Sequence, residues 1–543
     1  MTRWKKVILP FLVIIPVVGC SDETTVYRDS LREDVVLETG DDLLTSVNFR
    51  AAGVLEIYEE EKNLAGKDPD QAGDYPLTLI ASVAPPSYQS GDQLTATHVD
   101  VHGNFAYVSH NTVGPAFYGA VDAVDVSDPH NPRVTSRLFF LNADINSLKY
   151  DNGFLYVAGG MDSELSAMAT SNSFVARIPA WDGSLNTEGI LYGFQQGNNA
   201  TDVDVRAGRV LVSSGREGSI TEYDKADLSI LSETYMADAR ALEIIDAGIA
   251  ALDAGTGVRL LNENLEETGL IPIPTDLGEA TKKTLEAWED HLVVAEAEKG
   301  AGMYPNTGGS LLQYLPIPIH PEGVDSGDIV TNAVTVNEDI LFMANGGAGL
   351  SIADQDGNGA RTVGIIELDG SVNYVVSRGD YAFAASGTNG LQIIKLNRVS
   401  ESLAATCAEL PVYDGTSKLN VLEGETVAYQ GEKRFNNINV MGSLLLCGSW
   451  TVVNHVDIKT DAAFQLYGTL AVGQNSQRRN IKVGENALLQ IEGDVTVYGD
   501  LILMEGATLE FLGSDSVMDV FGEVKYEGAA IVKGVFRDVR GKF

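Results

Sequence analysis

Near residue 100, three side chains that could ligate a metal alternate along the chain: His98, Asp100 and His102. A period of two puts them on one face of a β-strand, with Val99 and Val101 on the other, and imidazole plus carboxylate is a transition-metal set. A strand bordering a solvated channel shows the same alternation, so polar lining competes with ligation. A second candidate is Asp354-Gln355-Asp356-Gly357-Asn358-Gly359. Asp354, Asp356 and Asn358 would offer alternate oxygens to Ca2+, with a glycine at the tight bend. A helix-loop-helix calcium site carries a bidentate Glu at position twelve, whereas this chain has Ile365 there. Asx and Gly residues also build plain hairpin turns. Ca2+ is the one cofactor these patterns suggest. No G-x-S-x-G, H-E-x-x-H or C-x-x-C-H occurs, and no Gly-rich phosphate loop links a strand to a helix.

The elements that must position these residues announce themselves by repetition. A strand-turn-strand phrase recurs seven times: VDVHGNFAYVSH, LKYDNGFLYVAG, VDVRAGRVLVSS, LEIIDAGIAALD, LEAWEDHLVVAE, VTVNEDILFMAN and VVSRGDYAFAAS. A spacing of roughly 40 to 55 residues is what a four-stranded propeller blade occupies. The sequence therefore predicts an all-β protein with a seven-bladed β-propeller over residues 76–400. The last phrase runs out after a third strand, Leu391–Leu396, while the segment from Pro76 to Val83 stands alone ahead of the first. Pairing the two closes the ring and removes an exposed edge. Aligning the repeats places His98, Asp202, Arg240, Lys283, Asn332 and Tyr374 where the inner strands enter the central funnel.

The first blade continues from GNFAYVSH to AVDAVDVSDPHNPRV. Through Tyr107, Val108, Val124, Asp125, Val126, Ser127, Asp128, Pro129, Asn131 and Pro132 it resembles the LVIVD-repeat propellers of bacterial surface proteins. Later copies diverge, as in GLSIADQDGNG and GLQIIKLNR. The resemblance implies the fold over residues 76–400 and carries no shared activity.

A different pattern occupies residues 408–543. VMGSLLL, LYGTLAV, VYGDLIL and VFGEVKY share a glycine, at Gly442, Gly468, Gly499 and Gly522, between short apolar alternations. Such spacing predicts a β-solenoid similar to a parallel β-helix, with a hairpin-built β-sandwich as the alternative.

The N-terminus reads as an export signal over residues 1–19. Arg3, Lys5 and Lys6 precede an apolar run, Val7 to Val18, too short to span a bilayer comfortably. Val17-Val18-Gly19-Cys20 resembles the bacterial lipobox, which implies cleavage before Cys20 and acylation of its thiol and amino groups. With Ser21 rather than Asp after the cysteine, the expected address is the outer membrane, facing either the periplasm or the cell surface. Residues 20–75, acid-rich and poor in aromatics, read mostly as a tether spanning roughly 40 Å. If lipid consumes Cys20, Cys407 and Cys447 are the remaining thiols, and outside the cytoplasm they are expected to form a disulfide rather than stay separate.

A formal charge of −39 excludes nucleic acid as a partner by repulsion. The absence of a catalytic set leads to the expectation of a non-catalytic scaffold lipoprotein, tied to the membrane by its lipid and binding a protein or glycan. The alternative is an extracytoplasmic glycan lyase or hydrolase with its site in the funnel. Converging acids, bases and aromatics there would favour the enzyme.

Overall fold

The structure is a computed structural model describing residues 35–58, 76–87, 91, 93–114, 116–278, 282–319, 321, 323–337, 340–357 and 359–543. Cys20 and the export signal lie outside the described residues, as do residues 59–75 and Asn358.

Seven antiparallel blades circle a channel. Each begins with an inner strand that returns through a two-residue hairpin, as at His102↔Phe105, Asp151↔Phe154 and Arg206↔Arg209. Glycines of the repeat phrases sit in several of these hairpins, where short turns demand positive φ: Gly153 has φ 85° and Gly208 φ 74°. Blades three and four share one strand, Ile230–Ile245, whose first half is the outer strand of one and whose second half is the inner strand of the next. Blades pack through alternating apolar residues, such as Leu148, Leu155 and Val157 against Tyr107, Val121 and Leu138. As predicted, Leu77–Val83 pairs antiparallel with Leu391–Leu396 and completes blade seven.

The N-terminal segment departs from the tether expectation. Val35–Glu38 adds a fifth strand to the outer edge of blade one, against Arg137 to Phe140. Val47–Asn48 and Gly53–Val54 pair with Leu77–Val83, and Ile57–Tyr58 pairs with Ile365 and Ile366 of blade six. The acids that suggested a solvated chain alternate here with apolar residues: Val35, Leu43, Val54 and Ile57 are buried. Residues 35–58 therefore strap blades one, seven and six.

The C-terminal region is a parallel β-solenoid rather than a sandwich. Thr426, Ser443, Ala463, Leu488, Thr508 and Ile531 stack in register over six successive turns. Leu444, Leu446, Phe464, Leu466, Leu489, Ile491, Leu509 and Phe511 fill its interior. The sequence motif had grouped unlike glycines. Gly442, Gly499 and Gly522 occupy turns, whereas Gly468 stacks with Gly431, Gly448 and Gly493 inside the strands. A short helix, Glu401–Cys407, leads in from the propeller and ends in the Cys407–Cys447 disulfide, with Cα atoms 5.3 Å apart.

Candidate functional site

The mouth of the channel, where the inner strands begin, opens into a cavity of about 840 Å3. Its wall is built from side chains that bond to one another. Asn111 donates to Asn146 Oδ1 (2.9 Å), Asn146 donates to Asn199 Oδ1 (2.5 Å), and Asn111 Oδ1 accepts from the Ile145 amide. Thr97 and Thr201 each meet a serine of the neighbouring strand, Ser109 at 2.8 Å and Ser213 at 2.9 Å. Each also donates to a carbonyl of the next blade, Ile145 or Ala239. These bonds lock blade to blade and leave a preformed polar cup. Val113 lies on its lining with 86% exposure.

Lys282 forms the floor. Its Nζ donates to the Asn146 carbonyl at 2.7 Å and lies 4.8 Å from the centre of the Tyr374 ring. Removal from water pulls its pKa down to about 7, against the partial support of Asp202. His98 stacks on Tyr374 with ring centres 3.8 Å apart. Its burial, then the charges of Lys282 and Lys149, hold the imidazole neutral well below its ordinary range.

Deeper in the channel lies a ring contributed one residue per blade. The second position of each repeat phrase supplies Asp100, Lys149, Asp204, Glu243, Glu286, Thr335 and Val376. Lys149 Nζ is 3.8 Å from Asp204. Burial alone would lower its pKa, but Asp204, Asp100, Glu243 and Glu286 outweigh that and raise it. Burial raises the acids in turn: Asp100, Asp202 and Asp204 shift upward, Glu243 lies well above its usual range and Glu286 reaches about 7. Asp100 accepts from the Tyr150 amide (2.8 Å), and Asp202 from Ser147 Oγ (2.7 Å) and the Leu242 amide (3.2 Å).

Of the six funnel residues predicted, His98, Asp202 and Tyr374 face the channel. Arg240 reaches the cavity wall, forked onto Asp238 at 2.7 Å and bonded to the Gly278 carbonyl. Lys283 and Asn332 instead point into the wall, where Lys283 Nζ donates to Asn332 Oδ1 at 3.1 Å. The channel lysine is its neighbour Lys282. Among the described residues no group of three or more His, Cys, Asp or Glu side chains is arranged to hold a metal ion. His98 and His102 pack against different tyrosines, Tyr374 and Tyr150. The proposed calcium stretch is the end of a hairpin: Asp356 pairs with Gly359, and Asp354 lies opposite Arg361, 3.5 Å from its guanidinium. Asp354 thus already has a cationic partner, and the third candidate ligand, Asn358, lies outside the described residues.

These features define the molecule as a seven-bladed β-propeller joined to a β-solenoid. No protein-family profile matches the sequence, and no curated protein sequence matches it. Among solved structures, the chain is similar to the WD40 propeller domain of Doa1 (12% identity, TM-score 0.44), over 60% of this chain and 98% of that one. It is similar to the RRP9 WD40 repeats (11%, 0.45) over 63% and 99%. A catalytically inactive virginiamycin B lyase from Staphylococcus aureus with quinupristin gives 11% and 0.42 over 57% and 98%. Likeness at this level carries no information on ligand or activity.

Proposed function

We propose that this chain is an outer-membrane lipoprotein, anchored at Cys20 and related to the LVIVD-repeat propellers, that binds a protein or glycan partner at the propeller mouth without transforming it. The observation that supports this reading is the mouth itself. Its amides and hydroxyls are committed to inter-blade bonds, which suits a rigid docking cup better than a set of poised proton donors. The exposed Val113 at the lining supplies an apolar contact of the kind that partners bury. The solenoid then serves as a rigid spacer or second contact surface.

The test uses a soluble Cys20→Ser chain as bait in intact envelope extracts. A specific partner should be captured, and Val113→Asp should lose it while melting like the parent. Capture unchanged by that substitution would place the contact elsewhere. Cys20→Ser should also abolish acylation, and an unaltered lipid-bearing mass would refute the anchor. Protease shaving of whole cells separates the two membrane faces.

One observation favours the enzymatic alternative. Acids, a lysine, a histidine and a tyrosine do converge in the channel, and Lys282 and Glu286 both titrate near neutrality, as proton-transfer groups must. Of these, only Lys282 reaches the wall of the mouth cavity. Turnover of a polysaccharide, lost in Lys282→Met, would establish a glycan lyase or hydrolase in place of the scaffold.

A further inference from the structure

Below Lys282 the channel holds five carboxylates, Asp100, Asp202, Asp204, Glu243 and Glu286, against the two lysines Lys149 and Lys282. Asp204 has Lys149 at 3.8 Å. Among the described residues, Asp100, Asp202, Glu243 and Glu286 have no ion-pair partner. Burial raises the pKa of these acids against the partial support of Lys149 and Lys282, and a cation brought among them would let them ionise and return the desolvation energy. All four carboxylates are only partly buried, so solvent-sized space adjoins each of them. Lys149, at the same level, keeps 45% of its side-chain exposure.

A second observation points the same way. His98 shares the channel face of its strand with Asp100, is only 5% exposed, and its Nδ1 has no hydrogen-bond partner. The channel therefore has acceptors in excess and a neutral ring nitrogen unmatched beside them. What it lacks is a cationic donor. A metal ion does not fit, since no three of these groups converge on one point. Asp100, Asp202, Glu243 and Glu286 come from four different blades, so one small ion cannot meet them all, whereas several ammonium groups on one flexible chain can. The protein's own lysines show that alkylammonium groups are accepted here: one lies beside Asp204, the other over the Tyr374 ring.

We propose that the propeller channel binds a linear di- or polyamine, its ammonium groups held by Asp100, Asp202, Glu243 and Glu286. This site lies below the mouth and does not depend on the partner assigned there. Calorimetric titration of the full soluble chain with spermidine, in about 0.15 M salt to screen the acidic surface, tests it. One spermidine per chain should bind, and a Glu243→Gln/Glu286→Gln double variant should bind about thirtyfold more weakly or worse, as loss of enclosed charge partners implies. Asp100→Asn gives a second, milder variant should the double one melt early, and it too should weaken binding. Butylamine, with a single ammonium, should bind far more weakly than spermidine. Equal affinity in parent and variants would mean that spermidine merely coats the acidic surface, and the proposal would fall. No heat at millimolar spermidine would overturn it as well.

Discussion

Glu286 and Asp122 are both carboxylates inside the propeller, yet their surroundings drive them in opposite directions. Burial would raise Asp122, but Arg137, forked onto it at 2.6 and 2.8 Å, and His110 at 3.3 Å outweigh burial and hold it at about 2. Its folded pKa is depressed, so its contribution is present above the unfolded value of about 3.9 and is lost as pH falls towards 2. Asp122→Ala should cost about 3–5 kcal/mol, because it strands a buried guanidinium; denaturant melts at pH 7 measure this. Glu286, raised to about 7 by burial, behaves conversely. Its contribution is complete below the unfolded value of about 4.3 and is lost as pH rises through 7. Glu286→Gln should therefore be more stable than the parent at pH 8, by about 1 kcal/mol, and should flatten the loss between pH 5 and 8. A variant whose melting tracks the parent across that range would show that Glu286 is not held protonated. The ring containing Glu286 was legible in the sequence, at the second position of every repeat phrase. The funnel positions were only half legible. Counting back two residues from the ring gives His98, Asp202 and Tyr374, which face the channel. Counting back three gives Arg240, Lys283 and Asn332, and an odd step turns a strand's side chain to its other face. Arg240 reaches the cavity wall beside a bulge between Ala239 and Ala241, the kind of local irregularity that periodicity alone does not reveal.

At the scale of elements, the hairpin turns of the blades and the closing strand followed from local chemistry, because Gly and Asx residues mark positive φ and alternation marks faces. The strap at 35–58 did not. Its strands are two to four residues long, too short for a period to declare itself, and they are defined by the blade edges they cover. In the solenoid, glycines recur for two different reasons that a motif merges. Gly468 has φ 126°, and a Cβ there would land on the Gly448 carbonyl oxygen of the turn stacked on it. Gly448 stands in the same relation to Gly431, and Gly493 to Gly468, so this column permits the close stacking of four turns. Gly468→Val should destabilise the solenoid by more than about 3 kcal/mol, combining strained φ with displaced backbone. A fall in the melting temperature of the whole chain measures it, and a variant melting like the parent would mean the turns can slide apart freely. The Cys407–Cys447 disulfide closes a loop with a sequence separation of 40. Reduction should lower stability by roughly 3–4 kcal/mol on the loop-entropy account, read as a fall in melting temperature with reductant.

The whole molecule depends on how the solenoid meets the propeller, a relation no local pattern encodes. The strap lies between them: the Val54 amide donates to the Gly473 carbonyl at 2.9 Å, and Asn475 Nδ2 donates to the Phe49 carbonyl at 2.8 Å. Tyr498 donates to the Leu79 carbonyl at 3.3 Å, and Lys395 meets Asp494 at 3.2 Å. The pivot is Asp519, 1% exposed, which joins His130 of blade one at 3.0 Å and Arg540 of the last turn at 2.6 Å. Arg540 lies 3.6 Å from the Phe521 ring centre and 4.9 Å from that of Phe49 in the strap. One carboxylate thus holds the blade-one loop, the strap and the solenoid end together. Burial would raise its pKa, but His130 and Arg540 outweigh this and keep it ionised. Removing it leaves an enclosed arginine without its anion, a loss of about 3–5 kcal/mol located at the interface rather than in either core. The parent should therefore unfold in one calorimetric transition, and Asp519→Ala should split it into separate propeller and solenoid transitions. If the variant still unfolds in a single transition at the parent temperature, the strap's pairing at Val54 and Asn475 and the Tyr498 and Lys395 contacts suffice to couple the two units, and Asp519 is not the pivot.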